Sequence, residues 1–218
     1  MSDDLERRLR GRPRAGTLNL GGLRETLARR AAEAGLLDVA YGTHDSPLGP
    51  LTLFVTPRGL VRLSYPDEPL EDQLTELAAT VSPRVMAAPE RTDAVRRQLD
   101  EYFAGERHAF EVPIDWRLLH GFREQVLRAT ARIPFGHVST YREIATEAGS
   151  PNGYRAAGNA LGSNPMPIVV PCHRVLHAGG GLGGYTGGLE RKRFLLGLEG
   201  VLPEVPSAPV IGDGRRSH

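Results

Sequence analysis

The spacing of apolar residues changes along this chain, and the change limits the folds that it can adopt. Residues 36–65 contain three short runs of β-forming residues separated by turn residues: 37–41, 51–56 and 60–65. Such runs favour a small antiparallel sheet. Helical spacing, with apolar residues three and four positions apart, follows in three segments: 70–79, 91–104 and 119–133. The sequence therefore predicts an α+β fold, with a small N-terminal antiparallel sheet and its helices followed by a mainly helical C-terminal part.

Two short helices are predicted in the C-terminal part. Thr140 and Glu143 fit a capping box, so we expect a helix that begins there and ends near Gly149. Pro151 suits the first turn of a second helix that runs to about Leu161. Two such helices joined by a Gly-Ser-Pro turn form a helix-turn-helix, which either binds DNA or serves only as a packing unit.

The composition of the second helix distinguishes between these two interpretations. Its segment Arg155-Ala-Ala-Gly-Asn-Ala160 contains almost no bulk besides Arg155. A core helix usually carries larger apolar residues, whereas a helix of small residues allows the backbone to approach a groove while one cation projects from it. The composition favours DNA binding.

These patterns divide the chain into four segments: an N-terminal extension (1–35), an N-terminal α/β domain (36–114), a C-terminal domain (115–201) and a disordered tail (202–218). The extension is mixed in charge, with one amphipathic helix predicted before Gly35. The tail is rich in proline and glycine, which disfavours a packed element.

Composition excludes several classes of protein. The chain has 218 residues, of which 40% are hydrophobic and 24% charged, as in ordinary globular proteins. No apolar run reaches the roughly 18 residues of a membrane span, and the N-terminus lacks the pattern of a secretory signal. We therefore expect a cytoplasmic protein without a membrane partner. The net charge of +1 predicts no strong overall affinity for nucleic acid, although a groove needs only a few well-placed cations.

The chain contains a single cysteine, Cys172. This count excludes an internal disulfide, a multi-cysteine zinc knot and an iron–sulfur cluster held by this chain's cysteines alone. Cys172 follows an apolar run that begins at Ile168, so the segment is interpreted as a strand that ends in a Pro-Cys-His-Arg turn. A lone cysteine is often a small buried hydrophobe. A thiol beside His173 and Arg174, however, is suited to form the nucleophilic thiolate.

A free thiol needs a base, because its pKa near about 8.5 leaves it mostly protonated at neutral pH. His173 is the first candidate, acting through a bridging water because adjacent side chains on an extended chain point to opposite faces. Glu199 is a candidate carboxylate for fixing the imidazole tautomer. Cys172, His173 and His177 provide too few well-spaced ligands for a zinc site. The sequence predicts neither a metal nor a cofactor.

Four motifs in order carry a resemblance to a known family: Asn164-Pro165-Met-Pro167, Pro171-Cys172-His173-Arg174-Val175, Tyr185-Thr-Gly-Gly188 and Leu195-Leu196-Gly-Leu-Glu199-Gly200. Together with the helix-turn-helix before them, they resemble the methylated-DNA–protein-cysteine S-methyltransferases, also called O6-alkylguanine-DNA alkyltransferases. The similarity covers about residues 37–200 and is most specific from Pro134 onward. It implies a ribonuclease-H-like N-terminal domain and a C-terminal domain that binds DNA and accepts an alkyl group.

The resemblance also implies a chemistry for the cysteine. Cys172 would accept the alkyl group from O6 of a damaged guanine and keep it as a stable thioether, so that each chain would react once. His173 would take the thiol proton through water, and Glu199 would orient His173. The side chain of Asn164 would brace the turn that holds this network.

The same resemblance implies how the damaged base is reached. The family flips the nucleotide out of the duplex. Arg155 would enter the vacated space, Tyr141 would disturb the target phosphate and contact the base, and the helix carrying Ala156 and Gly158 would enter the minor groove. The base pocket would be lined by five residues: Tyr141, Pro167, Val175, Tyr185 and Thr186.

The expected partner is double-stranded DNA that contains O6-alkylguanine, with O4-methylthymine as a second substrate and the protein acting as a monomer. Thr186 stands where serine is also common in the family, and the zinc-binding cysteines of some relatives are absent. Two alternatives stay open. One is a cysteine hydrolase that uses Cys172, His173 and Glu199, although a hydrolase has no use for a helix-turn-helix with Arg155. The other is a non-enzymatic protein that recognises alkyl damage, against which the presence of Cys172 argues.

Overall fold

The computed structural model describes residues 34–203, together with residues 22, 26, 30 and 31. Most of the predicted N-terminal extension, including most of its helix, lies outside the described residues, and so does the tail after residue 203. Within the described part, no helix is long and apolar enough to cross a membrane.

The N-terminal part is built on a four-stranded sheet. Its strands are β1 (Val39–His44), β2 (Leu51–Thr56), β3 (Gly59–Ser64) and β4 (Val85–Ala87), in the order β3-β2-β1-β4. The first three strands are antiparallel as predicted, but β4 pairs with β1 in parallel. The prediction of a purely antiparallel sheet is therefore wrong at one edge. The sheet is mixed.

The length of β4 explains the missed strand. Three residues are too few to show an alternating pattern, so no sequence signal marked them. Parallel pairing also needs a long crossover. Helix α1 (Leu70–Thr80), which lies between β3 and β4, provides it.

The two faces of the sheet pack against different elements. On one face, Val39, Phe54 and Val61 form a small cluster with Leu77 of α1. Leu53, the neighbour of Phe54 in β2, and its partner Leu63 in β3 belong to the main core, because an irregularity in the pairing of β2 with β3 leaves Val61 on the other face. That core also contains the buried face of α2 (Asp93–Phe103) and apolar residues of the C-terminal part, so one continuous core joins both parts.

Four α-helices lie in the C-terminal part: α3 (Gly121–Thr130), α4 (Tyr141–Glu147), α5 (Tyr154–Gly162) and α6 (Leu189–Leu198). The predicted α+β fold is confirmed. Helices α4 and α5 are the predicted pair, and the capping box of Thr140 and Glu143 is present at the start of α4. The prediction that Pro151 lies in the first turn of the second helix is wrong. Pro151 lies in the turn before α5, which closes on itself through a 2.8 Å hydrogen bond from the amide of Gly153 to the carbonyl of Ser150.

The segment before Cys172 is not the strand that its apolar residues suggested. Ile168 has a positive φ of 72°, which breaks an extended backbone. The apolar side chains are buried because this loop crosses the core. Cys172–Arg174 then form one turn of 3-10 helix, followed by β6 (Val175–Leu176). This short strand pairs in parallel with β5 (Ser139–Thr140), which brings the cysteine turn beside the start of α4.

The capping box gives a test of the local structure of α4. We expect Thr140→Ala to lower the free energy of unfolding by about 1 kcal/mol, because the substitution removes the acceptor for the amide of Glu143. Urea denaturation at neutral pH measures the change. Thr146→Ala is the matched control in the same helix. Its hydroxyl donates only to the carbonyl of Arg142 on the exposed surface, so we expect a change below about 0.5 kcal/mol. Equal losses in the two variants would contradict the role of the cap.

Candidate active site

The thiol of Cys172 is buried in a turn that Asn164 holds. The side-chain amide of Asn164 donates to the carbonyl of Val170 at 2.8 Å and to the Cys172 sulfur at 3.1 Å. Its oxygen accepts from the amide of Met166 at 3.0 Å. One side chain thus fixes both ends of the loop and places a donor on the sulfur.

The histidine next to the cysteine is completely buried and contacts Glu199. His173 Nε2 lies 2.8 Å from Glu199 Oε1. An ionised carboxylate can only accept, so Nε2 carries the proton. Burial lowers the pKa of His173, against the opposing effect of Glu199, so the ring is neutral at pH 7. Nδ1 then has a free lone pair, and it is buried without a hydrogen-bond partner among the described residues. This nitrogen is the available base.

Glu199 directly follows the last residue of α6 and accepts hydrogen bonds from both parts of the protein. Besides His173, it accepts the hydroxyl of Tyr102 from α2 at 2.7 Å. Arg174 donates to both carboxylate oxygens, each at 2.8 Å. Burial alone would raise the pKa of Glu199, but the hydrogen bonds from His173 and Arg174 outweigh it and lower the pKa to about 2. The buried carboxylate is therefore ionised throughout the physiological range.

The resting cysteine is a thiol. Burial raises the pKa of Cys172 to about 11, although the Asn164 amide and the Lys192 charge act in the opposite direction. The sequence placed two potential cations, His173 and Arg174, beside this thiol. The ring of His173 is neutral, and the charge of Arg174 is engaged by Glu199. A base must therefore remove the proton during any reaction.

Lys192 is a site residue to which sequence reasoning gave no role. It is fully buried, and its ammonium donates to the carbonyls of Val175 at 2.8 Å and Gly184 at 3.3 Å, and also to that of Leu182. Burial lowers its pKa to about 8, and the electrostatic effect of Cys172 opposes that change. The one sequence signal for Lys192 was that it is the only lysine in the chain, whereas the other residues with a permanent positive charge are arginines.

A cavity of about 540 Å³ opens onto the sulfur. Six of the residues that the sequence singled out line it: Tyr141, Arg155, Gly158, Cys172, Tyr185 and Thr186. Pro167 and Val175, which were also expected there, are buried in the core and do not belong to this lining. The lining also includes Tyr154 and His177, which the sequence did not single out as pocket residues.

Helix α5 forms the rim of this cavity. Arg155 and Ala156 are exposed. Opposite them, Tyr141 lies against His177, with ring centroids 5.1 Å apart. Gly183 permits this packing, since a Cβ there would lie 2.5 Å from the Tyr141 hydroxyl. The result is an apolar cavity with a cation at its mouth and a thiol inside.

Comparison with known proteins places the chain in a family. Residues 121–201 match the model described as the DNA binding domain of 6-O-methylguanine DNA methyltransferase, and residues 39–116 match its ribonuclease-like domain. A methylated-DNA–protein-cysteine methyltransferase of Mycolicibacterium paratuberculosis is 45% identical over 161 residues, covering 74% of this chain and 92% of the relative. The chain belongs to the methylated-DNA–protein-cysteine methyltransferase family.

Solved structures of this family resemble the chain as well. The O6-methylguanine methyltransferase of Mycobacterium tuberculosis is 40% identical, with a TM-score of 0.64, covering 78% of this chain and 95% of that one. A structure of the M. tuberculosis protein OGT in complex with DNA is 41% identical, with a TM-score of 0.63, covering 73% of this chain and 92% of that one.

The buried ion cluster of this methyltransferase-family chain makes its stability depend on pH. The pKa of Glu199 falls from an ordinary 4.5 to about 2 on folding, so its contribution is complete above about pH 5 and is lost as the pH falls toward 2. We expect the free energy of unfolding to fall by about 2 kcal/mol between about pH 5 and pH 3 from this carboxylate. His173, neutral when folded, acts in the same direction below its ordinary value of 6.5.

Urea denaturation at the two pH values measures the effect. Glu147→Gln is the control, because that carboxylate lies on the exposed surface beside Arg132, and the variant should follow the unsubstituted protein. A free energy of unfolding that does not change between the two pH values would disprove the assignment.

Proposed function

We propose that this chain repairs alkylated DNA by moving an alkyl group from O6 of guanine in a duplex to the sulfur of Cys172, once per chain. The observation that carries this proposal is the location of the thiol at a cavity large enough for a base, beside the exposed face of α5, backed by the buried pair His173–Glu199. The names of the relatives and the family models support the same activity.

The proposed reaction begins with removal of the thiol proton. Nδ1 of His173 takes it through one water, while Glu199 holds the proton on Nε2 and stabilises the cation that forms. The thiolate that results is favoured by the Asn164 amide and by the buried charge of Lys192. These groups are in place before the reaction, so little reorganisation is needed when the charge appears.

The sulfur then attacks the alkyl carbon. A sulfur–carbon bond forms as the bond between that carbon and O6 breaks, and the electron pair leaves with the guanine. The proton lost by the thiol is balanced by the proton that the restored guanine gains. A thioether offers no easy leaving group, so the chain is consumed. Thus neither a metal nor a cofactor has a step in this scheme.

The cavity must receive a base that normally lies inside the double helix. We propose that the nucleotide is flipped out, which costs a few kcal/mol and less for a poorly paired, alkylated base. Arg155, exposed at the cavity mouth, would occupy the space left in the stack. The small residues Ala156 and Gly158 would let α5 approach the minor groove, where little sequence information is available or needed. O4-methylthymine is a second proposed substrate.

We further propose that the protein acts as a monomer on chromosomal DNA, which in a bacterium lies in the cytoplasm. The alternatives are not favoured. The relative from Mycolicibacterium paratuberculosis and the M. tuberculosis structure described first are named as methyltransferases, which argues against a cysteine hydrolase. The thiol lies at the cavity, which argues against a protein that only recognises damage.

Stoichiometry tests the proposed function directly. We expect incubation with excess methylated duplex to leave one methyl group per chain, located by peptide mass spectrometry on the peptide that contains Cys172. Cys172→Ala should abolish transfer and leave duplex binding largely intact, because the thiol contributes little to phosphate contacts. Transfer beyond one equivalent, or catalytic release of an acyl product, would contradict the proposal and favour a hydrolase. Binding without methylation would favour a recognition protein.

The role of Arg155 gives a second test. We expect Arg155→Ala to slow repair of methylated duplex far more than reaction with free O6-benzylguanine, because only the duplex reaction includes flipping. Rate constants for both substrates are measured side by side. Arg58→Ala, which removes an exposed arginine from the β2–β3 turn of the sheet, is the matched control and should affect neither. Equal losses on the two substrates would disprove the role in flipping.

A further inference from the structure

We propose that Tyr65, contributed by the N-terminal sheet, is a positioning residue for the base pocket: its hydroxyl holds the ring of Tyr185 against the cavity that contains Cys172. This inference rests on the proposed function, because Tyr185 lines the pocket that is proposed to receive the damaged base. It gives the ribonuclease-like part a defined role in binding the damaged base.

The contact between the two tyrosines is direct. Tyr65 follows β3 and is buried, and its hydroxyl oxygen lies 2.7 Å from that of Tyr185. The rings meet edge to face at 66°, with centroids 6.3 Å apart. On its other side, the ring of Tyr185 stands perpendicular to that of His173, again with centroids 6.3 Å apart. Tyr185 thus links the N-terminal sheet to His173, the proposed general base, while lining the cavity.

The segment that carries Tyr65 is anchored to the C-terminal part. The guanidinium of Arg191, on α6, lies 4.4 Å from the centroid of the Tyr65 ring, a cation–π contact. Arg191 also pairs with Asp67 at 2.7 Å and donates to the carbonyl of Gly187 at 3.0 Å. One side chain therefore joins the segment after β3 to the loop that follows Tyr185.

Two further contacts fix the backbone around Tyr65. The carboxylate of Glu68 accepts the amide of Tyr65 at 3.0 Å, and the amide of Glu68 donates to the carbonyl of Tyr65 at 3.1 Å. Just before, the amide of Leu63 donates to the carbonyl of Pro165 at 2.9 Å, in the loop that Asn164 braces. The sheet thus contacts both the cysteine loop and the Tyr185 loop.

Packing leaves the tyrosine pair little freedom. A Cβ at Gly187 would lie 2.5 Å from Cε2 of Tyr65 and 2.9 Å from Cε1 of Tyr185, so the backbone there touches both rings. In the described residues the hydroxyl of Tyr185 has Tyr65 as its hydrogen-bond partner. Removing the Tyr65 hydroxyl leaves that polar group unsatisfied and the Tyr185 ring less firmly held. A flat base that stacks on a poorly fixed wall binds less well.

The experiment uses the full chain with free O6-benzylguanine as the probe, because that base reaches the pocket without flipping. We expect Tyr65→Phe to lower the rate constant for alkyl transfer by about two- to ten-fold, the range of one buried neutral hydrogen bond. Equilibrium binding of the probe to Cys172→Ala should weaken by a similar factor when Tyr65→Phe is added. Affinity for undamaged duplex should not change.

A double-mutant cycle separates this role from a general loss of stability. Tyr185→Phe should give a loss of the same size, and the double variant should be no worse than either single variant, because both remove one hydrogen bond. Tyr41→Phe is the matched control. Tyr41 lies in β1 and packs on Phe54 near the opposite cluster, with ring centroids 5.6 Å apart, so rate and binding should equal those of the unsubstituted chain.

Each outcome decides the matter. Unchanged rate and binding in Tyr65→Phe, with or without a lower melting temperature, overturn the inference and leave the proposed function intact, as do additive losses in the cycle. If the unsubstituted chain binds the probe without accepting the alkyl group, the proposed function fails, and weaker binding caused by Tyr65→Phe still supports the inference. If the unsubstituted chain neither binds nor reacts with the probe, both proposals fall.

Discussion

The buried carboxylate of Glu199 is the constraint on which the rest of the site depends. A charge taken out of water is tolerated only where donors surround it. Here the donors are the imidazole of His173, the guanidinium of Arg174 and the hydroxyl of Tyr102. Meeting this demand fixes the tautomer of the histidine, uses the charge of the arginine and ties α2 to the end of α6. The two residues after Cys172, His173 and Arg174, must both reach the carboxylate of Glu199, and this requirement sets the shape of the cysteine turn.

The same electrostatics explain why the thiol can be buried, protonated and still reactive. Burial raises the pKa of Cys172 to about 11, so the resting sulfur carries no charge that would need compensation. The Asn164 amide at 3.1 Å and the ammonium of Lys192 favour the anion once it forms. In the proposed reaction, the neutral His173 supplies the lone pair that takes the thiol proton.

Local patterns predicted most of the fold and the central residues of the site. Apolar spacing predicted α3, and Thr140 with Glu143 predicted the start of α4, because the first signal lies along a single helix and the second within one turn. The apolar run before Cys172 misled, since such a run does not distinguish a strand from a buried loop, and Ile168 with its φ of 72° has no sequence signature. Tyr65, Tyr102 and Lys192 approach the site from distant segments, so no local pattern could show them.

The hydroxyls of Tyr65 and Tyr102 have a consequence for how this chain can be recombined with its relatives. Both belong to the region that matches the ribonuclease-like domain, yet one touches the pocket wall and the other touches Glu199. The two regions are therefore not interchangeable modules. A chimera that joined this DNA-binding region to a relative's sheet would inherit every residue of the Pro-Cys-His-Arg turn. It would still be incomplete unless the foreign sheet supplied hydroxyl groups at these two points.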